Sequence, residues 1–235
     1  MARENTFGIA HAHGFLELRN TMKNVVLLCA LVSTSALPMF ALAESNTTSP
    51  AATNAIAVGR LDFTVVVPAV LFLRIGTGGA VGVAGAVIDG LTFTVPATNI
   101  GDSTAVAGTG GDLAAGAVTV RVFSNFGSNV TLNSAVTGQL LSVAGDTIPW
   151  SQIAVVPAAL TTATAGFTNT GITHPAFSAL PGGGAGTATT LTAVSRLVRQ
   201  EGKWTFTYSN AAVVPAGTYG TSARNGRVTY TATQI

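Results

Sequence analysis

Hydrophobic and polar positions alternate in short runs along this chain, and the runs stop at proline, glycine or asparagine. In Leu61-Asp62-Phe63-Thr64-Val65-Val66-Val67 the apolar positions Phe63, Val65 and Val67 recur every second residue until Pro68, the period of a strand with one buried face. The apolar run Ala69 to Ile75 ends in Gly76-Thr77-Gly78-Gly79; it is too short for a helix and predicts a second strand. Further strands are predicted at Leu91–Val95, Val118–Val122 and Val130–Asn133. Between the last two, Asn125-Phe126-Gly127-Ser128 supplies the asparagine and glycine that a hairpin loop needs for positive φ. Thr147 to Ile153 reads as an edge or bulged strand, because Pro149 has no amide hydrogen to give a ladder.

The strongest alternation lies near the end. Trp204, Phe206 and Tyr208 share one face, with Thr205 and Thr207 on the other. After the turn Pro215-Ala216-Gly217-Thr218, Val228, Tyr230 and Ala232 alternate with Thr229, Thr231 and Thr233. Threonine suits the outer face because its β-branch favours extended backbone and its hydroxyl keeps it wettable. Beyond residue 43 there is no capped amphipathic helix, and Leu191–Val198, rich in Thr, Val and Ser, leans towards strand. Short strands joined by Gly-, Pro- and Asn-rich turns predict an all-β fold, an antiparallel β-sandwich of immunoglobulin-like or pilin-like type. The segment Ala179–Ala188, with Gly182-Gly183-Gly184, reads as a loop within that domain.

The start of the chain follows another pattern. Met22-Lys23-Asn24, the apolar run Val25–Val32, and Ala41-Leu42-Ala43 give the charged start, apolar core and small-x-small site of a secretory signal peptide. The apolar run is shorter than the roughly 20 residues a bilayer requires and is followed by Ser33, Ser35 and Pro38, so cleavage is expected and not a membrane span. The organisation expected is an upstream extension over 1–21, a signal peptide over 22–43, a flexible tail over 44–58 and one domain over 59–235. The destination is periplasmic, cell-surface or extracellular.

Composition then narrows the function. Of the 11 Lys and Arg, Arg3, Arg19 and Lys23 precede the cleavage site, as do Glu4 and Glu17 of the nine Asp and Glu. The remainder is nearly neutral and has no basic stripe for nucleic acid. Cys29 is the only cysteine and leaves with the leader, so the fold must do without disulfides. His174 is the only histidine after residue 43 and reads as a loop residue in Gly171-Ile172-Thr173-His174-Pro175. No Gly-x-Ser-x-Gly elbow presents a serine to it.

Asp89, Asp102, Asp112 and Asp146 lie in turn-like sequence, where aspartate usually bonds nearby backbone. Asp102 and Asp112 share one long loop, which keeps calcium open, although no EF-hand spacing is present. The run Gly76–Gly82 lacks the lysine of a phosphate loop and the βαβ setting of a dinucleotide fold. No catalytic residue, cofactor or metal site is expected. Trp150 and Trp204, with Tyr208, Tyr219 and Tyr230, are weighed as a stacking platform for glycans, against the alternative of a core stripe.

The segment Pro215-Ala216-Gly217-Thr218-Tyr219-Gly220, followed by Gly226-Arg227-Val228-Thr229-Tyr230-Thr231-Ala232-Thr233, resembles the closing hairpin of bacterial secreted pilin-like and spore-coat-U-like β-sandwich proteins. The low charge and the Thr, Ala and Gly richness are similar too. Many chaperone-usher pilins carry a disulfide, which this chain lacks after cleavage. The resemblance implies an extracellular subunit that adds a strand to a neighbour's open edge, with residues 44–58 as donor and Ala55, Ile56 and Val58 as its apolar contacts. The function expected is a non-enzymatic surface, fibre or matrix protein of a bacterium, self-assembling or adhesive. The alternative is a carbohydrate- or envelope-binding module.

Overall fold

A computed structural model describes residues 46–47 and 56–235, and the sequence-predicted extension and signal peptide, 1–43, lie outside the described residues. The chain divides into two units, Met1–Val66 and Val67–Ile235. In the first, residues 56–66 belong to no strand. The regular structure of the second is almost wholly β-strand, in several sheets joined by long loops.

Seven strands carry the second unit: β1 (Leu71–Ile75), β2 (Ala117–Ser124), β3 (Val130–Val136), β4 (Ile153–Ala158), β5 (Thr189–Leu191), β6 (Val198–Tyr208) and β7 (Val228–Gln234). The larger sheet is organised by β6. One of its edges pairs antiparallel with β2 (Val198 opposite Ser124 through Thr205 opposite Ala117), and β2 pairs in turn with β1. The other edge pairs antiparallel with β4 and, through Gln200 and Glu201, parallel with Thr168–Asn169. The smaller sheet is centred on β3, with β7 along one edge and β5 and Gly184–Ala185 along the other.

One buried cluster draws on both sheets. Val118, Val120 and Val122 of β2 and Val198, Trp204, Phe206 and Tyr208 of β6 join Val130, Leu132 and Val136 of β3 and Leu191 of β5. Each strand contributes every second residue, as the pleat requires. Gly202 allows a close approach on β6: a Cβ there would lie 2.4 Å from the carbonyl oxygen of Thr170. Its absence lets the segment entering Ile172 run against the strand.

On the opposite face of β6, Glu201 is fully buried and stands directly across from Arg121 of β2. Arg121 donates to its Oε2 through Nε (3.0 Å) and the terminal nitrogen (2.8 Å), and the Thr164 amide donates to Oε1. The Arg121 guanidinium lies 4.9 Å from the centroid of the Phe167 ring. The loop through Thr164 and Phe167 therefore covers this pair and removes it from water. A second pair, Arg74 with Asp112 (3.3 Å), ties β1 to the loop before β2, where Asp112 also accepts from the Thr119 amide at 2.7 Å.

Several predicted elements end up differently. Leu61–Val67 forms no strand; Phe63, Val65 and Val67 are 84%, 85% and 73% exposed. Only Leu91–Thr92 of the run to Val95 is strand. The expected Asn125–Ser128 hairpin is instead a crossing between sheets, because Ser124 pairs with Leu71 and Val198 whereas Val130 pairs with Leu191 and Gln234. The turn residues there reverse the chain without deciding what it pairs with.

Pro149 breaks its segment into Thr147–Ile148, a 3-10 turn at Trp150–Gln152, and β4. Leu191–Val198 bends midway: Ser195 and Arg196 adopt positive φ (51° and 64°), and Val194 and Leu197 exchange backbone hydrogen bonds of 2.8 and 3.0 Å across them. Two consecutive left-handed residues are what a tight two-residue turn demands.

Removing one partner of a buried pair leaves the other charge uncompensated. Arg121→Ala is expected to lower unfolding stability by about 3 kcal/mol in urea titration; a loss below about 1 kcal/mol, the worth of an exposed pair, would show that Glu201 is solvated.

Candidate functional site

The aromatic face of β6 sets the chemistry of the interior. Trp204 is 0% exposed and its Nε1 donates to the Ile172 carbonyl at 2.6 Å; Trp150 is 7% exposed and donates to the Gly138 carbonyl at 2.7 Å. A buried indole N–H needs such a partner. Both residues considered as a glycan platform therefore belong to the core, Trp204 fully enclosed and Trp150 reaching only the wall of an internal cleft. The stacking that does occur is internal, Trp150 with Phe177 (4.9 Å between centroids) and Trp204 with Tyr230 (5.2 Å).

His174 lies in a loop as expected, but its ring is turned inward. Its ring is half-buried among Trp204 (4.5 Å between centroids), Phe177 (4.6 Å), Tyr230 (5.6 Å) and Phe206 (5.8 Å). Nε2 is hydrogen-bonded to the Tyr230 hydroxyl at 2.8 Å. Burial in this apolar shell lowers the imidazole pKa from 6.5 to about 4, and burial raises that of the Tyr230 phenol. Both groups thus stay neutral near neutral pH. Among the described residues His174 is hydrogen-bonded to neither the serine nor the carboxylate that a nucleophilic triad would place beside it.

The carboxylates are occupied locally. Asp102 accepts from the amide and hydroxyl of Thr104 (2.8 and 3.0 Å), and Asp89 from the hydroxyl of Thr77 (2.9 Å). Asp112 is held by Arg74 and the Thr119 amide. Among the described residues no three His, Cys, Asp or Glu side chains converge as metal ligands.

What remains open is a groove. Among the described residues, strands β1 and β7 lie near one another without pairing, each hydrogen-bonded to a sheet neighbour along one edge. Between the sheets at this side runs a cleft of about 440 Å³ lined by Ile75, Phe93, Leu140, Phe206, Val228 and Tyr230, with Asp89 and Arg227 also on its wall. Past Phe93 and Leu140 it meets a second hollow of about 640 Å³ that reaches Tyr208, Val214 and Tyr219.

Of the three expected donor contacts, Ile56 and Val58 are exposed and Ala55 lies outside the described residues. The stronger apolar strip is Leu61–Val67, whose side chains at 63, 65 and 67 are far larger in sum. The alternation marked it as strand, although it belongs to none of the strands of the described residues.

No family model, curated protein or solved structure matches the chain.

Two measurements follow. Acrylamide is expected to quench tryptophan emission only weakly, and soluble glycans to leave it unchanged; a saturable shift with a glycan would restore the platform. For pH, the unfolded chain protonates His174 near 6.5 and the folded one near 4. Between these values the unfolded state holds more protons, so stability falls as pH falls, by about 3 kcal/mol in all. Denaturant midpoints measured from pH 7 to pH 4 should show this slope, and His174→Gln should flatten it.

Proposed function

We propose that the chain is a non-enzymatic structural subunit of a bacterial surface, fibre or matrix. In this reading the segment 22–43 is its secretory leader, its two principal sheets form a pilin-like sandwich, and copies join by strand addition. The observation that carries the reading is a pairing deficit on both sides. Leu61–Val67 has the alternation of a strand but belongs to no sheet, and its apolar side chains at 63, 65 and 67 stand in solvent. Elsewhere in the chain two sheet edges flank an apolar groove.

Lengths agree as well. The strip has seven residues and so has β7, the longer edge; both extend to roughly 23 Å. An edge strand with free amides and carbonyls accepts an extended segment through main-chain hydrogen bonds, and alternate side chains fill the pockets beneath. Burying one phenylalanine and two valines gains about 1.5–3 kcal/mol for each side chain. The occupant is therefore the strip of a second copy, and the donor contacts move from Ala55, Ile56 and Val58 to Phe63, Val65 and Val67. The Pro-Ala-Gly-Thr-Tyr turn leading into β7 supports the resemblance to pilin-like subunits, since it delivers the edge strand that the reading requires.

The test is the oligomeric state of the full chain and of the double variant Phe63→Asp, Val65→Asp, by sedimentation and electron microscopy. The wild type should form linear oligomers and the variant should stay monomeric with an unchanged melting temperature. A wild type that remains monomeric at high concentration, or oligomers that survive the double substitution, would overturn the reading.

A further inference from the structure

The segment Ile172–Ser178 is bonded to both sheets. Its Ile172 carbonyl accepts from Trp204 of β6, and its Ala176 carbonyl accepts from the Ser134 hydroxyl of β3 at 2.8 Å. His174 lies between these two attachments and makes a third, to Tyr230 of β7. Among the described residues no other β7 side chain makes a hydrogen bond, so Tyr230 is the one directed side-chain tie between this edge strand and the interior. Tyr230, Phe177 and Phe206, three of the four rings around His174, also line the groove.

We propose that His174 is an acid-sensitive latch on the groove: neutral, it ties the Tyr230 side chain of β7 to the aromatic interior; protonated, it leaves that shell and releases the Tyr230 side chain, opening the groove while β7 stays paired with β3. That the opened groove then exchanges the strip of a second copy rests on the fibre reading above. Among the described residues no carboxylate is bonded to the ring. From β7 the titratable group facing it is Tyr230, whose phenol is held neutral by burial. From β6 it meets Trp204 and Phe206, while Glu201 and Lys203 alternate onto the other face, Glu201 already paired with Arg121. From its own segment it meets Phe177, and the Asp89 and Arg227 side chains stand at the groove wall, unbonded to the ring. An imidazolium in this half-buried apolar shell loses much of its hydration and gains no counter-charge, so it moves out toward water.

The experiment uses the full chain carrying Phe63→Asp and Val65→Asp, so that assembly does not enter the signal, and the neutral dye Nile red as a probe of apolar surface. Lowering the pH from 7 to 4 should raise dye emission about threefold and shift Trp204 fluorescence, with far-ultraviolet circular dichroism unchanged. His174→Gln, which keeps a polar group towards Tyr230 but does not titrate, should abolish the rise. Tyr230→Phe, which removes the bond, should give the raised signal already at pH 7. An acid rise that persists in His174→Gln, a flat wild-type response, or a Tyr230→Phe chain indistinguishable from wild type would each overturn the latch. Assembly of the unsubstituted chain separates the two ideas: a latch response in a chain that never assembles sinks the fibre reading alone, and assembly without a latch response sinks the latch alone.

Discussion

Strand β6 is hydrogen-bonded along both edges, buried along its inner face and closed over at Glu201 on its outer one, and the other elements take their places from it. Its inner positions are large aromatics, which fixes the spacing to the smaller sheet and forces both the indole N–H of Trp204 and the ring of His174 to find partners inside. Its outer face carries Glu201, a charge that cannot be left alone, so Arg121 must come from the neighbouring strand and a loop must close over both. A strand rich in polar outer positions would usually face water on that side. Here the ion pair makes one buried spot on the outer face, around Glu201, and the register of β2 against β6 is set by charge as well as by the valines beneath.

Periodicity carried the local geometry well. The alternation at Trp204–Tyr208 and at Val228–Ala232 gave strands with the right residues facing inward, because the pleat is a property of the chain itself. Pairing was less legible. Asn125–Ser128 carries the composition of a hairpin loop, yet β2 and β3 belong to different sheets, since turn chemistry fixes a reversal and not the neighbour. Ser195 and Arg196 hide a tight turn in residues that rarely adopt left-handed backbone. Leu61–Val67 is the opposite case, a segment with every local mark of a strand and no partner in the described residues.

The site was harder still to foresee. Arg121 and Glu201 are eighty positions apart, and Arg74 and Asp112 thirty-eight; no spacing rule joins them. His174 reads as a loop residue because its neighbours in sequence are Gly, Thr and Pro, while its neighbours in space come from β6 and β7. Burial of a titratable ring is decided by which sheet closes over it, and that is information the linear sequence distributes over sixty residues. Trp150 and Trp204 were legible as aromatic positions on strands, and the choice between core and surface needed only the sheet on the other side.

The covered outer face of the larger sheet has a consequence for shape beyond the single molecule. A sheet with both faces open can stack into layers, and a sheet with both edges paired cannot grow at all. In this protein the loop over Arg121 and Glu201 obstructs stacking on one side and the smaller sheet blocks it on the other, while among the described residues the rims at β1 and β7 pair with no further strand. Under the proposed strand addition, growth through those rims would add copies end to end. On that reading the ion pair on the far side of β6, remote from the groove, favours a thread over a film.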